Sequence, residues 1–524
     1  MSTSLLLLLG GAGLLLLIAC ANVGALILVQ ALGRREEIVM RRALGASQAR
    51  LFTQMLCEGL VLAALGGAAA LGVAEAAIRT LAARLPWDVP LAAPVALDGR
   101  VLLVTLLVAL GASLVFGAVA WRPSRGTLTP ARFRRRGWGR EAVVVGELAL
   151  TMLLLAGAGL LVRSLAHMEQ QPLGFDPAGR TLFQTQLPAG TATAGAAWAF
   201  DQGVLNRLNR LPGVQAAVTN MPPLAGQANL PGEAVGVAGG GASIEFRGVS
   251  TGYFAVMGMP LLAGRGFNAQ DTAAAPRVGV INASAARHWF GGHALGRQVR
   301  MGAVGSQVWA SALAAQPFTI VGFAGDVKVQ DVRRSPRPTL FLPAAQATGN
   351  AAWWVVAGPV EEAQIRDAVA AVNANARVSG VETYRARIAA TMARPAFEAR
   401  LMSLFALLAL LLAAVGLYGL LAYSVAQRTR EIGIRMALGA QPNAAAWRVA
   451  RRGLGLAVAG IGLGAAAIVP FHSLLAGLLY GVQPGDVAAT AGAAAILLLA
   501  AAVACWLPAR RATRVDVARA LRVG

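Results

Sequence analysis

The residues best spaced to do work in this sequence are an acid–arginine pair that occurs twice. Glu37-Ile-Val-Met-Arg-Arg-Ala-Leu-Gly-Ala46 and Glu431-Ile-Gly-Ile-Arg-Met-Ala-Leu-Gly-Ala440 agree at seven of ten positions, 394 residues apart. In each copy the acid precedes an arginine by four residues, Glu37 before Arg41 and Glu431 before Arg435, the favoured order for a helical ion pair. Ile38, Ala43 and Leu44 in one copy, and Ile432, Ile434 and Leu438 in the other, give a short helix an apolar edge. Gly45 and Gly439 can end it as left-handed caps. Such a two-faced helix suits docking onto another protein. The alternative is an anchor lying in lipid headgroups. An anchor needs only positive charge, whereas here the acid is duplicated with the arginine.

Other chemistry-bearing residues point to little catalysis. His167, His288, His293 and His472 show no metal-ligand spacing, and His288 and His293, flanking Phe290, read as surface residues. Cys20, Cys57 and Cys505 fall in or beside apolar runs and read as free thiols. The sole lysine, Lys328, follows Gly-Asp-Val and belongs to no glycine-rich phosphate loop. No metal or cofactor is expected, nor an enzyme activity of the chain itself. Asn282-Ala-Ser284 is a glycosylation sequon by pattern alone.

These residues must be positioned by membrane spans. Of the 524 residues 56% are hydrophobic and only 13% charged. About seven runs are long and apolar enough to cross a bilayer: 4–32, 56–80, 101–121, 142–163, 400–425, 453–480 and 487–507. The net charge of +22 would suggest nucleic acid in a soluble protein, but its placement argues for membrane topology instead. Loops 33–55, 122–141 and 426–452 and the tail 508–524 carry 5, 7, 6 and 5 arginines, against Arg84 and Arg100 alone in loops 81–100 and 481–486. The arginine-rich set is therefore expected in the cytoplasm, with the carboxyl terminus. The amino terminus and a large region from about 164 to 399 are expected outside.

That region reads as a mixed α/β domain. Arg180–Leu187, Arg277–Ile281, Phe318–Phe323 and Trp353–Ala357 have strand character, and Ala197–Leu211 and Glu361–Val372 helical periodicity. Stretches 221–243 and 302–317 read as loops. Among polar groups in the spans, Asn22 reads as an interhelical hydrogen-bonder. Glu58 and Glu147 read as snorkelling or interfacial, Glu75 with Arg79 as a structural pair, and His472 and Tyr480 as interfacial. The repeat continues from Gly59-Leu60 to Gly453-Leu454 and from Gly66 to Gly460, and segment 131–137 resembles 518–524. An even number of spans separates the copies, so they face the same way, the arrangement of a pseudo-two-fold pair within one chain.

At these residues a family resemblance emerges. Arg430–Ala440 resembles the signature of FtsX-like permeases. Gly252–Phe267, Val278–Asn282 with Gly296-Arg297, and Ile320–Asp326 resemble the MacB-type periplasmic core domain. The tandem arrangement resembles the duplicated, acidobacterial orphan-type permeases, read here as lacking the first span and first periplasmic domain. The resemblance implies a parallel tandem repeat of three-span units divided as 1–137 (first FtsX-like unit), 138–165 (a single span), 166–396 (periplasmic core domain) and 397–524 (second FtsX-like unit). It further implies a multi-pass permease subunit in a bacterial inner membrane, without its own ATPase. Two copies of a cytoplasmic ABC ATPase would dock on the repeated helices and use ATP to move the external domain, in efflux or mechanotransmission. A periplasmic adaptor or substrate protein and the lipid bilayer complete the expected partners; nucleic acid is not among them. The alternatives are an inactive or ATPase-independent membrane scaffold with a periplasmic binding domain, and an ion-coupled secondary transporter.

Overall fold

The computed structural model describes residues 3–33, 65–76, 130–188, 194–226, 229–235, 241–301, 316–329, 333–347, 351–427, 441–471, 479–483 and 485–513, with isolated positions between them. The chain divides into a helical unit, Met1–His167 with Pro395–Gly524, and an α/β unit, Met168–Arg394.

In the helical unit, five helices are long and apolar enough to cross a membrane. They lie within α1 (Thr3–Gly33), α2 (Pro130–Glu169), the helix Tyr384–Gln427, and the helices Pro442–Ile468 and Val487–Thr513. They fall on five of the seven expected spans. Of the other two, 56–80 is represented by the shorter apolar helix Leu65–Ala76, and 101–121 lies almost wholly outside the described residues. Small residues bring these helices together where the hydrophobic effect gives no preference for protein over lipid. A Cβ on Gly460 would sit 2.5 Å from Leu148 Cβ, and one on Gly464 2.6 Å from Ala149 O. Gly460 is the position aligned with Gly66 in the sequence reading, and its lack of a side chain admits α2 at close range.

The α/β unit is built on one sheet system with two parts. Its elements run β1 (Arg180–Gln186), α3 (Ala194–Leu208), β2 (Gln215–Thr219), β3 (Asn229–Ala234), β4 (Gly241–Val249), α4 (Tyr253–Met257), β5 (Leu261–Gly264), β6 (Val278–Asn282), α5 (Ala283–Phe290), β7 (Gln298–Met301), β8 (Phe318–Ala324), β9 (Thr339–Pro343), α6 (Ala344–Ala347), β10 (Ala351–Ala357), α7 (Glu362–Ala370) and β11 (Arg377–Thr383). They are followed by α8 (Tyr384–Gln427), α9 (Pro442–Ile468) and α10 (Val487–Thr513). The strands β11-β1-β10-β2 form an antiparallel sheet. Phe183, Trp354, Val356 and Val218 pack there with Val204, Leu208, Ile365 and Val369 from α3 and α7. Trp354 stacks on Phe183 at 5.5 Å, and its indole N–H donates to Thr185 Oγ1 at 2.8 Å.

From β4 onward the strands close on themselves. Pairings β4–β3, β3–β7, β7–β8, β8–β6, β6–β9 and β9–β4 complete a six-stranded ring. Closure removes the exposed edges of an open sheet. The interior holds Ile244, Phe246, Ile281, Val299, Met301, Phe318, Ile320, Leu340 and Leu342, with Trp289 of α5 against them. The burial of β8 alternates strictly along Phe318–Ala324, as one inward and one outward face require.

The expected strands at 180, 277, 318 and 353 and helices at 197 and 361 are all present within a few residues. The stretch 221–243 is not a loop throughout: it holds β3 and the start of β4. Asn229-Leu-Pro-Gly-Glu-Ala has turn composition, yet Leu230 and Gly232 pair with Ile244 and Ala242, and Gly232 also with Met301. Ring closure overrides local preference there. Of 302–317, all but the last two residues lie outside the described residues.

Candidate functional site

Apart from Met40, the first copy of the expected docking motif, with Glu37, Ile38, Arg41, Leu44 and Gly45, lies outside the described residues, as do Ile432, Arg435 and Gly439 of the second. In the second copy Glu431, Ile434 and Ala437 are helical, and the amide of Leu438 donates to the Ile434 carbonyl at 3.0 Å. Glu431 is exposed and the apolar Leu438 is 82% exposed. Gln441 then N-caps α9, with Pro442 at its first turn, where a missing N–H costs nothing.

Among the described residues, charged side chains of the helical unit make contacts at its two ends. At one end Arg452 Nε donates to Glu141 Oε1 at 2.8 Å, Arg511 lies over Tyr418 and Arg510 over Trp506. At the other, Arg163 pairs with Asp486 at 2.5 Å, and Ser164 Oγ accepts from the Tyr480 amide at 2.8 Å. Glu75 and Arg79 form the expected exposed i,i+4 pair at 2.8 Å. Among the described residues the three cysteines are free.

Glu147 departs from its sequence reading. It is only 2% exposed, so it neither snorkels nor meets solvent. Its Oε1 accepts from Asn22 Nδ2 of α1 at 2.6 Å, and the same amide nitrogen donates to the Leu412 carbonyl of α8 at 2.6 Å. Asn22 thus makes the interhelical contact expected of it. The cause is packing: α1 lies against α2 and α8 through Ile18, Leu154, Ala158, Met402 and Ala406, which buries the first turns of the α2 span.

In the α/β unit, the stretches that carry the family resemblance converge in space. Gly264 has φ +75° and a Cβ there would sit 2.3 Å from Val321 O; a Cβ on Gly322 would sit 2.3 Å from Arg265 O. Two glycines therefore let the end of β5 lie directly on β8. Gly296 N donates to Ile320 O at 2.9 Å, and Ile320 N to Arg297 O at 2.8 Å. Asp326 Oδ1 accepts from Asn282 Nδ2 at 2.8 Å and from Ser284 N at 2.7 Å, while Arg287 Nη2 donates to Asp326 Oδ2 at 2.7 Å. Asn282 also caps α5 by accepting from Ala285 N. It is buried, so the sequon is no modification site. These motifs build a framework.

Two further groups went unnoticed in the sequence. Arg247 and Glu245 form a fully buried pair at 2.8 Å on the outward face of β4. The Arg247 guanidinium also donates to the carbonyls of Met221 and, at 3.2 Å, Pro222. Burial pulls its pKa down and Glu245 works against that. The Tyr384 hydroxyl holds the next carbonyl, Pro223 O, at 2.8 Å. Strand alternation could have exposed the pair, since Ile244 and Phe246 between and beside them point inward. Asp201 of α3 is buried with Oδ2 unpartnered, and burial pushes its carboxyl up to about 7. Among the described residues no cluster of His, Cys, Asp and Glu could hold a metal ion.

Comparison with known families accounts for both units. The MacB-like periplasmic core domain matches residues 142–379, and the FtsX-like permease C-terminal domain matches 10–127 and 403–517. The macrolide export ATP-binding/permease protein MacB of Salmonella choleraesuis is 26% identical over 294 residues, 53% of this chain and 43% of that one. The chain spans less than half the length of the curated relatives it matches. Among solved structures, the periplasmic region of MacB from Actinobacillus actinomycetemcomitans is 14% identical, with a TM-score of 0.27 over 41% of this chain and 94% of that one. The extracellular domain of the noncanonic ABC-type transporter YknZ from Gram-positive bacteria is 18% identical, with a TM-score of 0.26 over 38% and 100%. With its apolar helices and its large α/β domain of the extracytoplasmic type, the chain is a polytopic membrane protein, and it belongs to the MacB/FtsX-like ABC transporter permeases.

Proposed function

We propose that this permease couples ATP hydrolysis by a separate cytoplasmic ABC ATPase to motion of its extracytoplasmic domain, in efflux or mechanotransmission. The observation that carries the reading is the repeated docking sequence, whose second copy is helical at Glu431 and Ile434 and leaves Leu438 exposed. Two copies suit two ATPase subunits. The collection of Arg452, Arg510 and Arg511 at one end of the helical unit supports a cytoplasmic carboxyl terminus in an inner membrane. The FtsX-like match in two segments supports a tandem repeat. The α/β unit would engage an adaptor or substrate protein. ATP is hydrolysed on the partner, and this chain binds no cofactor.

Affinity purification from native membranes tests this, with a variant carrying Glu37→Ala, Arg41→Ala, Glu431→Ala and Arg435→Ala. An ABC ATPase is expected with the parent and lost from the variant. An ATPase absent from the parent, or retained in full by the variant, overturns the docking role and favours an ATPase-independent scaffold.

A further inference from the structure

We propose that Glu147 sits among the membrane helices as a carboxylic acid, and that its proton completes a two-bond clasp with the Asn22 side chain. The argument is an inventory of donors and acceptors. Asn22 Nδ2 has two hydrogens, and both are committed, to Glu147 Oε1 and to Leu412 O, each at 2.6 Å. Asn22 Oδ1 is buried and receives no hydrogen bond from any described group. Glu147 Oε2 and Asn22 Oδ1 converge on the bare Cα of Gly416, 2.7 and 2.8 Å from where a Cβ would stand. A carboxylic acid and a primary amide are complementary: the amide N–H donates to one carboxyl oxygen while the acid O–H donates to the amide oxygen. A carboxylate would instead set two acceptors against each other. Thr151 cannot supply the missing donor, because its hydroxyl donates to the backbone carbonyl of Glu147 at 2.8 Å.

Among the described residues no counter-charge meets the Glu147 carboxyl, and Arg510 and Arg511 at the end of α10 lie over Trp506 and Tyr418. Helix α1 has no ionisable acid or base in Thr3–Gly33 except Cys20, α8 has no charged residue from Leu401 to Gln427, and α10 has none from Val487 to Ala509. On α9, Arg452 is already paired with Glu141, and Gly460, the residue that meets Leu148, is two turns further along. On α2 itself, among the described side chains, Glu141 is paired with Arg452 and Arg163 with Asp486. An ionised carboxylate here would carry the full cost of burying an uncompensated charge; a neutral acid satisfies both its own hydrogen and the orphaned Oδ1. The clasp joins α1 to α2 and α8, so parting these helices requires breaking both hydrogen bonds together. This inference stands apart from the ATPase reading.

Infrared difference spectroscopy of the full chain in lipid vesicles at neutral pH tests it, comparing the parent with Glu147→Gln, which keeps an amide–amide pair. The expected result is a protonated-carboxyl C=O band in the parent that vanishes in E147Q and shifts down in D2O. Loss of carboxylate bands instead, with no protonated band removed, overturns the proposal. Should E147Q fail to accumulate, dicyclohexylcarbodiimide applied to parent vesicles decides the matter, since it reacts with protonated carboxyls in apolar surroundings. Mass spectrometry should find the adduct on Glu147 at neutral pH; an unmodified Glu147 there, with modification only on acidification, overturns it.

Discussion

In the α/β unit, Arg247 is buried beside Glu245 and beneath a loop whose carbonyls at Met221 and Pro222 accept its remaining hydrogens. In the helical unit, Glu147 is equally buried, yet its carboxyl meets one side chain, Asn22. The difference follows from the backbone. Strand ends and loops leave carbonyls free to take up a buried charge, as they do around Arg247. A helix has spent its own backbone groups on itself, so a polar side chain among helices must be matched by another side chain or carry no charge. The α/β unit buries an ion pair, Glu245 with Arg247, where the helical unit, on the proposal above, buries a neutral acid–amide pair, Glu147 with Asn22.

The largest expected effect breaks the ion pair. Arg247→Met leaves Glu245 buried without its cation and should destabilise the α/β unit by about 3–5 kcal/mol, whereas adding Glu245→Leu should restore most of the loss. Thermal unfolding of the detergent-solubilised chain, followed by tryptophan fluorescence, reads both. Equal losses in the single and double variants would remove the ion side of the comparison.

Asp201 sharpens the contrast, because it is a carboxyl of the α/β unit with an oxygen left unpartnered. Its folded pKa of about 7 lies above its ordinary 3.8, so the folded state holds the proton over a range in which the unfolded chain has released it. Stability contributed by this group is therefore full below pH 4 and is lost as pH rises toward 7, a fall on the order of 2–4 kcal/mol. Asp201→Asn should flatten that slope in melting curves recorded across the window; an unchanged slope would assign it to other groups.

A smaller effect is expected at the Asn282–Asp326 hub. Asp326→Ala removes the acceptor for Asn282 Nδ2, Ser284 N and Arg287, and should cost about 2–3 kcal/mol, with Asp326→Asn costing less. Hydrogen exchange at α5 should rise more in the alanine variant than in the asparagine one.

What the sequence made legible follows the range of the interactions. β1, β6, β8 and β10 could be read because their own residues alternate or are β-rich, and α1 and α10 because length and apolarity suffice. The ring could not be read, since β4–β9 and β3–β7 pair strands distant in sequence, and β3 carries a proline and a glycine. Glu147 was misread because its sequence position is near a span end, while its burial comes from α1, 125 residues away, and from the space left by Gly416. The signal was present in a lone asparagine at position 22 of an apolar run. The repeated acid–arginine motif was visible through its repetition; Met40, Glu431, Ile434, Ala437 and Leu438 are its described part.

The most direct test of the docking role is site-specific photo-crosslinking in living cells. A photoreactive residue at Leu438, and another at Leu44, should each capture a cytoplasmic ABC ATPase, while one at the exposed Leu262 of the α/β unit should not. Capture of no ATPase at either repeat position, or equal capture at Leu262, would contradict the account.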